Sequence, residues 1–185
     1  MGFSRLFKGD KVELTALTAD DIPTISRWYQ DSVFMRLYDA LPAYPRGEAK
    51  WRKKFEDRLN EDGTYIFGIR TLEDNALVGW LEIDGILWAH RVCWISIGIG
   101  DEAERGKGYG DESMRLALNF IFNELNLHRV QLTVFGYNAR AIKLYERLGF
   151  VQEGRFREFL ERDGVRYDML LFGLLRDEWR QAQSS

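Results

Sequence analysis

Arg105-Gly106-Lys107-Gly108-Tyr109-Gly110 stands between an apolar, strand-like run at 94–99 and an amphipathic run at 114–125. Glycines at alternate positions let a backbone come close to a ligand. A helix that follows such a turn points its free N–H groups and the positive end of its dipole back into it. Arg105 and Lys107 add positive charge. The stretch therefore predicts a turn that holds phosphate, although glycine turns also simply join strands to helices. A dinucleotide fingerprint needs Gly-x-Gly-x-x-Gly directly after the strand, whereas here the spacing is Gly-x-Gly-x-Gly and residues 101–104 intervene. A triphosphate loop needs Gly-Lys-Ser/Thr, and Gly110 is followed by Asp111. Another phosphate-bearing ligand fits better.

Outward from the turn, the chain reads as alternating strands and helices. Val12, Leu14 and Ala16 alternate with polar residues over 11–17, the mark of a half-buried strand. Thr18 is a suitable N-cap for a helix carrying Ile22, Ile25 and Tyr29, and Pro42 and Pro45 then place a loop. Trp51, Phe55 and Leu59 mark a second helix, followed by a hairpin of 65–70 and 77–83 around Glu73-Asp74-Asn75. After the strand at 91–99 and the glycine turn, Met114, Leu118, Ile121 and Leu125 share one helical face. Residues 129–135 alternate as a strand, and Ala141, Leu144, Tyr145 and Leu148 form a short helix ended by Gly149. Two last strands flank the Asp163-Gly164 turn. The order predicts an α+β fold, a mixed and mostly antiparallel twisted sheet with flanking helices. The helix from about Gly110 must carry the chain between the strands at 91–99 and 129–135, so those two should be parallel, with a ligand cleft at their ends.

At 185 residues, 45% hydrophobic and 14% aromatic, the chain is long enough for a single domain over 1–185 with its own core. A formal charge of −3 gives no global attraction for nucleic acid or an anionic membrane. Cys93 is the single cysteine, which excludes an internal disulfide and, with two scattered histidines, argues against a metal. The N-terminus has no apolar signal core, Leu6 stands where a myristoylation signal needs Ser or Thr, and the longest apolar run, 169–175, is too short to span a bilayer. The expectation is a cytoplasmic protein without membrane contact.

Two motifs carry a resemblance. Arg105-x-x-Gly108-x-Gly110 is similar to the Arg/Gln-x-x-Gly-x-Gly/Ala motif of the GCN5-related N-acetyltransferase (GNAT) family. Asn138-Ala139-Arg140-Ala141-Ile142-Lys143-Leu144-Tyr145-Glu146-Arg147-Leu148-Gly149-Phe150 resembles that family's Asn-x-x-Ala-x-x-x-Tyr-x-x-x-Gly-Phe. The likeness runs from about 12 to 179. Ile97-Gly98-Ile99-Gly100 and the hairpin at 163–168 look most like the branch of ribosomal-protein N-terminal acetyltransferases and spermidine acetyltransferases.

The resemblance implies acetyl-CoA as cosubstrate, without a metal. Its pyrophosphate would lie on the backbone N–H groups of Arg105, Gly106, Lys107, Gly108, Tyr109 and Gly110. Its amide-rich arm would pair with the open strand edge at Ile97, Gly98 and Ile99. Asn138 would contact the arm or cap its own helix. Tyr145 would be the general acid that protonates the departing thiolate, unless it only packs. Glu82, on one strand face with Asp84, is a candidate base or amine-binding group, with a solvated sheet face as the plain alternative. Cys93 lies mid-strand and reads as packing rather than as a nucleophile, and Trp80, Trp88 and Trp94 either wall an acceptor pocket or pack. The implied activity is direct transfer to a primary amine, a protein N-terminus or a small polyamine. A non-catalytic acyl-CoA sensor or interaction module is the other reading. A homodimer is left open.

Overall fold

A computed structural model describes residues 5–59 and 61–183. Residues 1–4, on which part of the N-terminal reading rests, and the side chain of Leu59 lie outside the described residues. The strands are β1 (Val12–Ala16), β2 (Tyr65–Thr71), β3 (Leu77–Leu87), β4 (Val92–Ile99), β5 (Arg129–Phe135), β6 (Val151–Arg162) and β7 (Val165–Leu175). The α-helices are α1 (Ile22–Trp28), α2 (Ser32–Tyr38), α3 (Glu48–Leu59), α4 (Tyr109–Asn119), α5 (Ala139–Arg147) and α6 (Arg176–Gln183). The strands hydrogen-bond in the order β1-β2-β3-β4-β5-β7-β6. Val92, Cys93 and Trp94 pair in parallel with Arg129, Val130 and Gln131, as the helical crossover requires. The result is the α+β class read from the sequence.

Two elements depart from that reading. The chain does not run straight from the first helix into the proline loop: Asp31 adopts an extended backbone and its Oδ1 accepts the Val33 N–H at 2.8 Å, which starts α2. After β7, Glu178 Oε2 accepts the Leu175 N–H at 2.9 Å and Trp179 is buried, which secures the polar helix α6. The long helix after the glycine turn also changes character, with α4 continuing as a π-helical turn over Phe120–Glu124.

Residue contacts group into two compact units. The first comprises residues through Asp84 together with Ser96–Phe120. Its aromatic core packs Trp28 on Trp80 with ring centroids 5.8 Å apart and Tyr29 on Trp51 at 3.7 Å. Trp80 is thus a core residue of the first unit. Asp21 accepts from the Thr18 N–H at 2.8 Å and from Arg70 Nη2 at 2.6 Å, so one buried carboxylate caps the entry to α1 and ties it to β2. Glu112 of α4 accepts the backbone N–H groups of Asp10, Lys11 and Val12, each at 2.8 Å, and so docks the start of β1 on that helix.

The second unit comprises Gly85–Ile95 and the chain from Ile121 onward. Phe122, Val130, Leu132, Phe172, Leu174 and Trp179 are buried here. Arg129 on β5 reaches Glu153 on β6 at 2.7 Å by passing over β7 at Gly173, where a Cβ would lie 2.6 Å from Glu153 Oε1. Asp163 and Gly164 both have positive φ, 52° and 77°, which suits the tight turn predicted between β6 and β7. Trp88 is about half exposed in the β3–β4 turn, Trp94 lies against Gly85, and Cys93 is fully buried. Among the described residues no helix is long and apolar enough to cross a membrane.

Candidate active site

The glycine turn takes the form its composition predicts. Gly106 has φ 86° and Gly108 has φ 92° with ψ −3°, both in the left-handed region that side chains avoid. A Cβ on Gly106 would meet no atom within 4 Å, so packing does not require glycine there, only the backbone angle does. The first intrahelical bond of α4 runs from Glu112 N–H to the Gly108 carbonyl at 3.1 Å, which leaves Tyr109 and Gly110 at the donor end of the helix. Lys107 Nζ lies 2.9 Å from both carboxylate oxygens of Glu104, and that hydrogen bond raises its pKa.

Arg105 does something the sequence did not suggest. Its Nε donates to the Ile99 carbonyl at 3.2 Å, its Nη2 to the Gly100 carbonyl at 2.6 Å, and its backbone N–H to Glu102 at 3.0 Å. The side chain is only 11% exposed. It therefore braces the end of β4 against the turn. Gly100 N–H bonds Val78 on β3 at 2.9 Å, so by strand alternation Ile97 and Ile99 turn their N–H and C=O groups away from β3. Gly98 is held on its other side by Tyr38, since a Cβ would lie 3.0 Å from that ring, and Gly100 by Trp28, at 2.0 Å. These glycines let the aromatic core reach the strand.

Lys11 is a cation near the turn that sequence reading missed. Its Nζ donates to the Lys107 carbonyl at 3.1 Å and stands 3.1 Å from where a Gly108 Cβ would be. Nothing within a strand pattern separates this lysine from any exposed one.

Glu82 is 15% exposed and accepts from Arg58 of α3, whose Nη2 also reaches Asp84 Oδ2 at 2.7 Å while Nη1 meets Glu61 Oε2 at 2.5 Å. Burial pulls the Arg58 pKa down, and the bonds and charges of Glu82, Asp84 and Glu61 outweigh it and hold the guanidinium charged. The face is not simply solvated, because α3 supplies its own counter-cation. Nearby, Trp80 Nε1 donates to Tyr38 Oη at 2.8 Å. Burial pushes the Tyr38 hydroxyl well above the usual phenol range, a Ser96 hydrogen bond opposes this, and the Glu82 charge adds to it. Tyr38 and Arg58 have no sequence signature: their partners lie on elements far along the chain.

Within the second unit, Asn138 caps α5, its Oδ1 accepting the Ala141 N–H at 3.2 Å. Tyr145 projects from the same helix into an aromatic setting, 5.8 Å from the Phe150 ring and 6.3 Å from Phe172. It is 7% exposed, and burial pushes its pKa up to about 12. The phenol therefore stays protonated at neutral pH and keeps an O–H to donate.

A family model described as an acetyltransferase (GNAT) domain matches residues 11–151. The chain is 30% identical over 171 residues to the SPbeta prophage-derived uncharacterized N-acetyltransferase YokL of Bacillus subtilis (strain 168), covering 92% of this chain and 93% of that protein. It is 23% identical over 142 residues to the ribosomal protein uS5-alanine N-acetyltransferase of Escherichia coli, covering 76% and 73%. Among solved structures, spermidine N-acetyltransferase from Vibrio cholerae in complex with CoA and spermine matches with a TM-score of 0.82 at 25% identity, over 91% of this chain and 98% of that one.

Proposed function

The chain belongs to the GNAT acetyltransferase family and is an acetyl-CoA-dependent acyltransferase, and from that premise we propose that it moves the acetyl group directly to a primary amine, acting as one acetyltransferase domain. The observation that carries this reading is the turn at the head of α4, where left-handed glycines and the first helical N–H groups offer donors to an anion. Gly106, Lys107, Gly108, Tyr109 and Gly110 would hold the pyrophosphate of acetyl-CoA, with Arg105 keeping the turn against β4. Ile97 and Ile99 would bond the amide-rich arm through the backbone groups they turn away from β3, and Gly98 would keep that edge close to Tyr38. Acetyl-CoA supplies the activated thioester.

Tyr145 would donate a hydrogen bond to the sulfur as charge develops on it. A phenol held near pKa 12 lies about 3.5 units above a reference thiol, so full proton transfer is uphill by about 5 kcal/mol and stabilisation of the developing thiolate is the larger part of the role. Asn138 sets the first turn of the helix that carries Tyr145. The attacking amine must be neutral, and Glu82 would take its proton or orient it only by loosening its bond to Arg58.

Thiol release from acetyl-CoA, followed over a panel of peptide N-termini, polyamines and aminoglycosides with product masses determined, tests the activity. Acetylated amine in at least one class is expected. Saturable CoA binding with no release across the panel would leave a sensor in place of an enzyme.

A further inference from the structure

Helix α2 joins the glycine turn to the middle of β4 within the first unit. At its start, Asp31 Oδ2 lies 3.9 Å from Arg105 Nη2, and the Arg105 guanidinium lies 5.9 Å from the Phe34 ring. One turn further on, Tyr38 stacks on Phe34 with ring centroids 5.7 Å apart. Tyr38 in turn rests on β4, 3.0 Å from where a Gly98 Cβ would be. The element that meets the proposed phosphate turn at one end therefore presents a tyrosine to the proposed cofactor strand at the other.

The polar groups around this tyrosine have a fixed direction. Trp80 and Glu82 stand at alternate positions of β3, and Ser96 and Gly98 at alternate positions of β4, so each pair shares a strand face. Tyr38 meets both pairs: its Oη accepts the Trp80 Nε1–H at 2.8 Å, it hydrogen-bonds Ser96, and the Glu82 charge is felt at its hydroxyl. An indole N–H can only donate, so it takes a lone pair of the Tyr38 oxygen and leaves the phenol O–H to point at Ser96 Oγ. A serine oxygen accepts two hydrogen bonds. Tyr38 supplies one of them, and Ser96 is exposed on β4, where a ligand can supply the second.

We infer that Ser96, aimed by the positioning residue Tyr38, accepts one N–H of the acceptor amine and so makes the site selective for primary amines. This rests on the acetyltransferase reading above and names the residue that selects the acceptor. A neutral primary amine carries two N–H groups. Ser96 holds the one that stays on the product amide, and the other proton passes to Glu82 as the nitrogen joins the acetyl carbon and the thiolate departs. A secondary amine has a single N–H, which that transfer consumes, so Ser96 loses its donor and its oxygen is left unpaired in the closed site.

The test measures kcat/KM on the full chain at saturating acetyl-CoA for a peptide with an N-terminal alanine, for spermidine and for kanamycin, each beside the same compound methylated at the nitrogen that the wild type acetylates. The ratio of primary to methylated amine is read within one sample, so it does not depend on how much of the protein is folded. Ser96→Cys adds no room for a methyl group but accepts hydrogen bonds weakly. Tyr38→Phe keeps the ring on Gly98 and removes only the hydroxyl. Each should lower the ratio by about tenfold through a slower primary amine, and Ser96→Thr, which keeps the oxygen, should hold the ratio near the wild-type value. A ratio unchanged in both Ser96→Cys and Tyr38→Phe, or equal losses on both amines, overturns the assignment while leaving an acetyltransferase. No thiol release from the wild type with any of the three amines removes the acetyltransferase reading with it.

Discussion

Tyr145 and the turn glycines carry the sharpest consequences at the scale of single residues. Tyr145→Phe keeps the ring contacts with Phe150 and Phe172 and removes only the donor. It should lower kcat by about a hundredfold with acetyl-CoA affinity nearly unchanged, as read by steady-state kinetics beside calorimetry. An unchanged kcat, with chemistry shown to be rate-limiting, would show that the tyrosine only packs. Because its pKa is raised to about 12, kcat/KM should climb as the acceptor amine deprotonates and show no descending limb from Tyr145 up to about pH 10. Gly106→Ala is the cleaner probe of the turn, since no protein atom lies within 4 Å of the new methyl group. It should cost about 1–2 kcal/mol of backbone strain and weaken CoA more than pantetheine, which lacks the pyrophosphate. Equal losses for both ligands would move the phosphate site elsewhere.

Elements built on local pattern were legible, and those built on distant partners were not. The alternation at Val12, Leu14 and Ala16 and the apolar face of Met114 and Leu118 lie in the chain itself, and β1 and α4 form there. The parallel β4–β5 pair followed from connectivity alone. By contrast α2 depends on one cap at Asp31, and α6 on Glu178 and a single buried Trp179. The site divides the same way. Gly106, Gly108 and Asn138 announce turn and cap by residue type, whereas Lys11, Tyr38 and Arg58 acquire meaning only from partners 96, 42 and 24 residues away. Arg105 was read as charge for phosphate, and its bonds to the Ile99 and Gly100 carbonyls could be seen only once the strand end had folded back beside it. At this scale the Asp21–Arg70 contact is the one to break. Its carboxylate is 7% exposed, so Asp21→Ala should strand Arg70, uncap the entry to α1 and cost about 3 kcal/mol in denaturant unfolding. A loss under about 0.5 kcal/mol would place it with ordinary surface pairs.

Over the whole molecule, buried phenols set the alkaline limit. Tyr29, Tyr38 and Tyr145 all have pKa values raised chiefly by burial. A group whose folded pKa lies above its unfolded value contributes stability that is present below the unfolded pKa and lost as pH rises toward the folded one. For Tyr145 that window runs from about pH 10 to about pH 12, at about 1.4 kcal/mol per unit. Unfolding midpoints should therefore fall steeply above about pH 10, and Tyr145→Phe should blunt the fall; a flat midpoint through that range would contradict the burial. The proposed chemical event is transfer of acetyl from CoA to an amine without an enzyme-bound intermediate. The most direct measurement counts CoA thiol released against acetylated amine formed while following the intact mass of the protein. The account predicts one acetylated amine for each thiol and no acetyl group retained on the chain. Thiol release without acetylated amine, or an acetylated protein that later passes the group on, would contradict it.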